Sequence, residues 1–189
     1  CEILLYQISH LEHALGQPSR ESKVERTLVF RDIIIKTVAQ LRSQGSDPNR
    51  ITYDPADMRR IRPLYLIRGN LNQVVFNLLH NAIKYAEDDP SQFNVQIKVE
   101  DRPKEYVLVF KDWGIGIQEQ YRNRIFEEGF RTPEALQKVV TGYGLGLSIS
   151  KRLMNEMGGD LVLGSSRKPT EFRVILPKTL AEAPNDYNG

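Results

Sequence analysis

The segment from Gln73 to Glu87, QVVFNLLHNAIKYAE, constrains the fold more than any other part of the chain. Its apolar residues recur with the spacing of an α-helix that packs against a core, but amide side chains interrupt the run. At about 100° of rotation per residue, Asn77, Asn81 and Lys84 lie within about 60° of one another on this predicted helix. The other members of the same stripe are Asn70 and Gln73.

Amides are an unusual choice for a solvent-facing stripe, because Glu, Lys and Arg favour helix and normally fill such positions. An amide oxygen can coordinate Mg²⁺ without cancelling the charge that attracts phosphate. A lysine one turn further on can pair with a phosphate oxygen. The stripe therefore predicts the lining of a site for a magnesium–phosphate group. We also expect Asn70 to cap the start of this helix and His80 to pack at its edge.

The order of the remaining patterns predicts an α+β fold, a two-layer sandwich of helices on a mixed, mostly antiparallel sheet. An amphipathic helix is predicted over LVFRDIIIKTVAQLRSQ, ending at Gly45. A glycine turn and a short helix are expected over GIGIQEQYRNRIFEEGF, and a mobile loop over RTPEALQKVVT. The predicted strands are RITYD, PLYLIRG, FNVQIKVE, EYVLVFKD, DLVLGSS and EFRVILP.

Composition excludes several classes of function. The formal net charge of +2 and the lack of a basic stripe argue against nucleic acid as a partner. A single cysteine, Cys1, leaves no internal disulfide and no cysteine-based zinc site, as in a reducing, cytoplasmic compartment. No apolar run reaches the ~18 residues of a membrane span. The chain starts without Met or a signal peptide, so we expect a fragment of a longer parent, whose upstream part would include any membrane anchor.

Two glycine-rich segments suggest the rest of the site. In VLVFKDWGIGI, Asp112 follows an apolar strand; it either makes an Asx-type turn or offers a carboxylate to a donor such as a purine amino group. In TGYGLGLSISKRL, glycines precede a helix whose N-terminus can bind phosphate, although a simple hinge remains possible. No G-K-[ST] follows and no strand immediately precedes this segment, so neither a P-loop nor a Rossmann fingerprint fits.

Taken together and in this order, NLLHNAIKY, DWGIGI, IFEEGFRT and GYGLGLSISKRLMNEMGG resemble the asparagine, first glycine, phenylalanine and second glycine boxes of sensor histidine kinases. The resemblance covers roughly Leu28 to Leu180, the ATP-binding catalytic domain of that family. It implies the Bergerat fold, which DNA gyrase, a heat-shock chaperone and the mismatch-repair ATPases share. It also implies an ATP-dependent protein-histidine kinase that uses Mg²⁺.

The resemblance assigns a role to each matching residue. Asn81 corresponds to the Mg²⁺ ligand, with Asn77 beside it as a second metal-site residue. Asn77, Lys84 and Arg131 form the catalytic set, since Lys84 matches a phosphate contact and Arg131 lies where some members contact the γ-phosphate. Asp112 matches the acceptor of the adenine amino hydrogen. The other expected ATP-binding residues are Tyr85, Gly114, Gly116, Ile117, Phe126, Phe130, Gly142, Tyr143, Gly144, Leu145, Gly146 and Leu147, and the expected ATP lid runs from Thr132 to Thr141.

Three departures from the family pattern matter. Trp113 and Tyr143 stand where small or polar residues are usual, so we expect bulky rings near the pocket mouth. Kinases of this family phosphorylate a histidine that an acidic residue follows, on a two-helix dimerisation hairpin, but Leu11 follows His10 and Ala14 follows His13. We therefore expect the acceptor to be absent. Residues 1–27 are predicted to be a hairpin remnant and linker, 28–180 the catalytic domain and 181–189 a disordered tail.

The expected partners are ATP, the parent's own hairpin and the receiver domain of a response regulator, in a homodimeric parent. A true ATPase of the same fold carries a glutamate at the position of Asn77, and an amide cannot deprotonate water. A serine kinase of the anti-sigma type shares the pocket and remains an alternative, disfavoured by the hairpin remnant. A non-catalytic nucleotide-binding module is the third alternative.

Overall fold

A computed structural model describes residues 23–43, 50–87 and 94–183 of this chain. Most of the predicted hairpin remnant and linker (residues 1–27), the helix end at Gly45 and the last residues of the predicted tail lie outside these ranges.

Two sheets form the β part of the described chain. The strands are β1 (Glu25–Thr27), β2 (Ile51–Tyr53), β3 (Leu64–Leu66), β4 (Val95–Asp101), β5 (Glu105–Asp112), β6 (Asp160–Ser165) and β7 (Thr170–Pro177). β1 pairs with β3 in a small antiparallel sheet, and the larger sheet has the order β2-β4-β5-β7-β6. Within it, β2 and β4 run parallel, while the β4–β5, β5–β7 and β6–β7 pairs are antiparallel.

The helical elements supply the second layer. They are α1 (Lys36–Ser43), entered through a π-helical stretch Val29–Ile35, then α2 (Pro55–Met58), α3 (Arg68–Lys84), α4 (Pro133–Lys138) and α5 (Gly146–Glu156). Single 3₁₀ turns lie at Glu119–Tyr121, Arg124–Phe126 and Lys178–Ala181. α3 packs against α5, and buried residues of both helices join those of the sheet in one core. The predicted α+β fold with helices on a mixed, mostly antiparallel sheet is confirmed.

Three local predictions were wrong. Asn70 does not cap α3, because the helix begins at Arg68 and its N-cap, Ile67, makes no side-chain cap hydrogen bond. The expected mobile loop contains α4, whose N-terminus is capped when the Thr132 hydroxyl accepts the Ala135 N–H. The short helix expected after the GIGI turn is instead a pair of 3₁₀ turns.

β5 is the strand that positions the site. It lies at the centre of the larger sheet, and Val107, Leu108 and Val109 are all buried. The strand ends at Asp112, directly opposite Thr170 on β7. None of the described helices is both long and apolar enough to span a bilayer.

Candidate functional site

A cavity of about 390 Å³ lies between α3, the end of β5 and the entry to α5. Most of the residues assigned to the site from the sequence line it: Asn77, Asn81, Lys84, Tyr85, Asp112, Gly116, Ile117, Phe130, Arg131, Gly142, Tyr143, Gly144, Leu145, Gly146 and Leu147. Gly114, Phe126 and Trp113 lie outside this lining. The roles of the lining residues stay predictions.

The amide stripe of α3 divides into two parts. Its C-terminal half lines the cavity through Asn77, Asn81 and Lys84. Asn70 and Gln73 do not line it; both are buried, and Asn70 Oδ1 and Gln73 Nε2 have no hydrogen-bond partner among the residues that the structure describes. The prediction that the whole stripe lines one polar site was therefore wrong for these two residues, because the packing of α3 buries its N-terminal half.

Asn77 ties α3 to the start of α5. Its Nδ2 donates to the Gly146 carbonyl at 3.1 Å and to Ser150 Oγ at 2.9 Å. The Ser150 hydroxyl donates in turn to the same Gly146 carbonyl at 2.8 Å. Asn77 is almost fully buried and Ser150 fully buried. The Asn77 side chain therefore fixes the helix N-terminus beside the cavity.

Asn81 lies one turn further along α3, with its amide facing the glycine entry to α5. A Cβ built on Gly146 would lie 3.9 Å from Asn81 Nδ2. The N-cap of α5, Leu145, makes no side-chain cap hydrogen bond, so the first N–H groups of this helix are not capped by that residue. An amide facing a helix N-terminus suits a metal–phosphate group, because the amide oxygen can bind Mg²⁺ and the helix end attracts the phosphate.

Lys84 lies at the end of α3 and faces the predicted lid. Its Nζ donates to the Thr141 carbonyl at 3.0 Å and lies 5.5 Å from the centre of the Tyr85 ring. Burial lowers the pKa of Lys84, and the positive charge of Arg131 lowers it further. This side chain thus carries its charge at the boundary between the cavity and the lid.

Asp112 lines the same cavity from the end of β5. The Gly114 N–H donates to its Oδ1 at 3.0 Å, and the Thr170 side chain is a second hydrogen-bond partner. Burial raises the pKa of Asp112 to about 6, although both hydrogen bonds act in the opposite direction. The sequence left two interpretations of Asp112 open, an Asx-type turn and a carboxylate that faces the site. The structure contains both.

Close backbone approaches explain two of the site's glycines. A Cβ on Gly114 would lie 2.5 Å from the Tyr85 carbonyl oxygen, so the loop packs against α3 at this point. Gly144 has φ +70°, and a Cβ there would lie 2.7 Å from the Gly129 carbonyl carbon. Glycine at these positions lets the loops that frame the cavity come together.

Sequence reasoning missed several cavity residues. Thr170 hydrogen-bonds to Asp112 from the neighbouring strand, and Phe172 lines the same wall. Phe126, outside the lining, packs edge-on against Phe172 with ring centres 6.5 Å apart. His80 both stacks on Phe76, as expected of an edge residue, and lines the cavity. Thr170 could have been found only from the pairing of β5 with β7.

The family model described as "Histidine kinase-, DNA gyrase B-, and HSP90-like ATPase" matches residues 68–180. The autoinducer 2 sensor kinase/phosphatase LuxQ of Vibrio cholerae serotype O1 is 34% identical over 116 residues, 61% of this chain and 14% of that protein. The mycobacterial sensor histidine kinase MprB is similar in structure, with a TM-score of 0.61, 26% identity and coverage of 78% of this chain and 95% of that one. The catalytic domain of histidine kinase ThkA is also similar in structure, with a TM-score of 0.64, 22% identity and coverage of 82% of this chain and 98% of that one. At this identity the similarity shows the fold alone. This chain thus spans about a seventh of the length of the Vibrio protein.

Proposed function

We propose a phosphotransfer role for this chain, which belongs to the family of histidine kinase-, DNA gyrase B- and HSP90-like ATPases. The resemblance drawn from the four boxes is confirmed by that match. Within the family, we infer that the chain is the ATP-binding catalytic domain of a sensor protein-histidine kinase. It binds Mg-ATP and transfers the γ-phosphate to a histidine on a dimerisation hairpin.

One observation carries this proposal: groups suited to the two ends of ATP line a single cavity. At one end, Asp112 offers a carboxylate that can accept the adenine amino hydrogen. At the other, the N-terminus of α5 and the Lys84 ammonium offer donors and positive charge to the phosphates. The apolar side chains of Ile117 and Phe172 line the same cavity and suit the faces of a purine ring.

The residues present fit a magnesium ion. Asn81 supplies a hard amide oxygen beside the helix N-terminus, and Mg²⁺ commonly takes one or two protein ligands together with phosphate oxygens and water. Asn77 fits the role less directly, because its amide nitrogen is committed to α5. Bound Mg²⁺ would neutralise charge on the phosphates; the side chains of this chain orient the nucleotide around it.

The contacts of Asn77 also support kinase chemistry over rapid hydrolysis. A general base has to accept a proton from water, and an amide that donates to Gly146 and Ser150 is neither basic nor free to move. The receiver domain of a response regulator, the dimeric parent and its cytoplasmic location belong to the same proposal. They rest on the family and not on a feature of the cavity.

Calorimetry with Mg-ATP tests this assignment. We expect binding by the unmodified chain and its loss in Asn81→Ala, whereas Asn155→Ala, an exposed amide at the far end of α5, should bind normally. Unchanged affinity in Asn81→Ala would refute the magnesium site.

Incubation with γ-labelled ATP tests the chemistry. The chain alone should release phosphate slowly, and addition of a cognate hairpin should produce an acid-labile, base-stable label on the hairpin. Rapid release by the chain alone would instead support an ATPase.

A further inference from the structure

Arg131 donates to three backbone carbonyls of the lid segment, defined here as Thr132 to Thr141, and to that of Gly142, which follows it. Its Nη1 donates to the Val140 carbonyl at 3.2 Å and to the Gly142 carbonyl at 3.1 Å. Its Nη2 donates to the Ala135 carbonyl at 3.0 Å and to the Val139 carbonyl. Four backbone carbonyls therefore form a ring around one guanidinium.

These bonds engage both Nη atoms of the side chain. The two Nη atoms of an arginine carry four hydrogens, which matches the four carbonyls that they contact. The remaining donor, Nε, is buried and has no partner within the described part of the chain. A phosphate could therefore be bound by this guanidinium only if lid carbonyls were released first.

The lid segment needs such support because α4 is short. A six-residue helix is marginal in isolation, and its last carbonyls have no partner within the helix. The Thr132 hydroxyl accepts the Ala135 N–H and caps the first turn. Arg131, the preceding residue, bonds to carbonyls at the last turn and beyond. Adjacent residues thus fix opposite ends of α4.

Lys84 adds a contact from outside the lid segment. Its Nζ donates to the Thr141 carbonyl at 3.0 Å, between the two carbonyls that Arg131 Nη1 holds. This bond joins the ring of carbonyls to the end of α3, which lines the cavity. The lid is thereby placed over the predicted phosphate end of the site.

We propose that Arg131 is a positioning residue, which organises the lid segment through four backbone carbonyls and affects nucleotide affinity through the lid. This assignment differs from a direct γ-phosphate contact, the role that the family resemblance suggests. For nucleotide affinity it rests on the proposed function, whereas the ordering of the lid is independent of any ligand. A direct contact distinguishes ATP from ADP, but an ordered lid acts on both.

Two variants separate geometry from charge. Arg131→Ala removes the guanidinium, and Arg131→Lys keeps the charge but replaces a planar fork with a single ammonium. Without nucleotide, we expect both variants to lose about 1.4 kcal/mol or more of local stability in the lid segment. Amide hydrogen exchange over residues 135–142 should therefore accelerate about tenfold or more. Arg31→Ala, which removes an exposed cation on the π-helical stretch, is the matched control and should leave lid exchange unchanged.

Calorimetry then distinguishes the two roles. We expect both Arg131 variants to weaken ATP and ADP by the same factor. Loss of ATP affinity with ADP affinity retained, or full ATP affinity in Arg131→Lys, would overturn the proposal. Unchanged lid exchange in Arg131→Ala would also overturn it.

Hydrogen exchange in β5 reports whether a variant has unfolded globally. If Arg131→Ala unfolds, the same criteria apply to Arg131→Lys. If the unmodified chain bound no ATP while lid exchange still responded to Arg131, the proposed function would fail and the lid assignment would stand.

Discussion

Replacing Asp112 with asparagine should stabilise the folded chain near neutral pH while impairing its proposed site. One pKa unit corresponds to about 1.4 kcal/mol. The rise in the pKa of Asp112 from 3.8 to about 6 therefore means that its ionised form costs the folded state about 3 kcal/mol. Asparagine keeps a similar shape and an oxygen that can accept the Gly114 N–H, but it carries no charge.

The sign of this effect depends on pH. Below about pH 4 the carboxyl group is protonated in both the folded and the unfolded state, so its burial imposes no charge penalty. Between about pH 4 and pH 6 the unfolded state loses its proton first, and the penalty grows. Above about pH 6 both states are ionised and the full penalty applies. Asp112→Asn should therefore gain up to about 3 kcal/mol relative to the unmodified chain between about pH 4 and pH 7.5.

Urea unfolding of both chains at the two pH values measures this difference. Any change in hydrogen bonding caused by the amide contributes equally at both pH values and cancels in the comparison. Asp57→Asn, at a partly exposed carboxylate on α2, controls for the loss of one negative charge. A stability difference for Asp112→Asn that is the same at both pH values would refute the claim that burial raises this pKa.

Other consequences of the site can be measured directly. Mg-ATP affinity should fall about tenfold from pH 7 to pH 5 as Asp112 is protonated, and calorimetry should show a smaller fall in Asp112→Asn, which controls for titration of ATP itself. The unmodified chain should prefer ATP to GTP, because guanine offers a carbonyl where Asp112 needs a donor; equal affinities would contradict this role. Ser150→Ala should cost about 1–3 kcal/mol in urea unfolding, since it removes an acceptor from the buried Asn77 amide, and an unchanged midpoint would count against that contact. Gly144→Ala should weaken Mg-ATP binding, because φ is +70° and Gly129 leaves no room for a Cβ; normal affinity would show that the loop can adjust.

The part of the site that rests on local geometry could be predicted from the sequence. Helical rotation places Asn77, Asn81 and Lys84 on one face, and all three line the cavity. Asp112 was expected at the end of a strand, where the structure places it. These inferences succeed because side-chain direction within one helix or strand is set by backbone dihedral angles and not by distant contacts.

Contacts between segments could not be predicted in this way. Asn70 and Gln73 share the stripe of Asn77, yet they are buried away from the cavity, because periodicity defines a face without saying what covers each part of it. Thr170 meets Asp112 only through the register of β5 and β7.

Arg131 illustrates, in a single residue, the difference between what the sequence determines and what the tertiary structure decides. Sequence alone determined that a cation follows Phe130 in the phenylalanine box, ahead of the lid segment. Only the tertiary structure decided that its donors turn to lid carbonyls, since a guanidinium binds whichever acceptors the folded chain brings within reach. Residue types and their periodicity therefore determined the chemical groups of the site and their placement on each element, whereas the packing of those elements decided which groups meet.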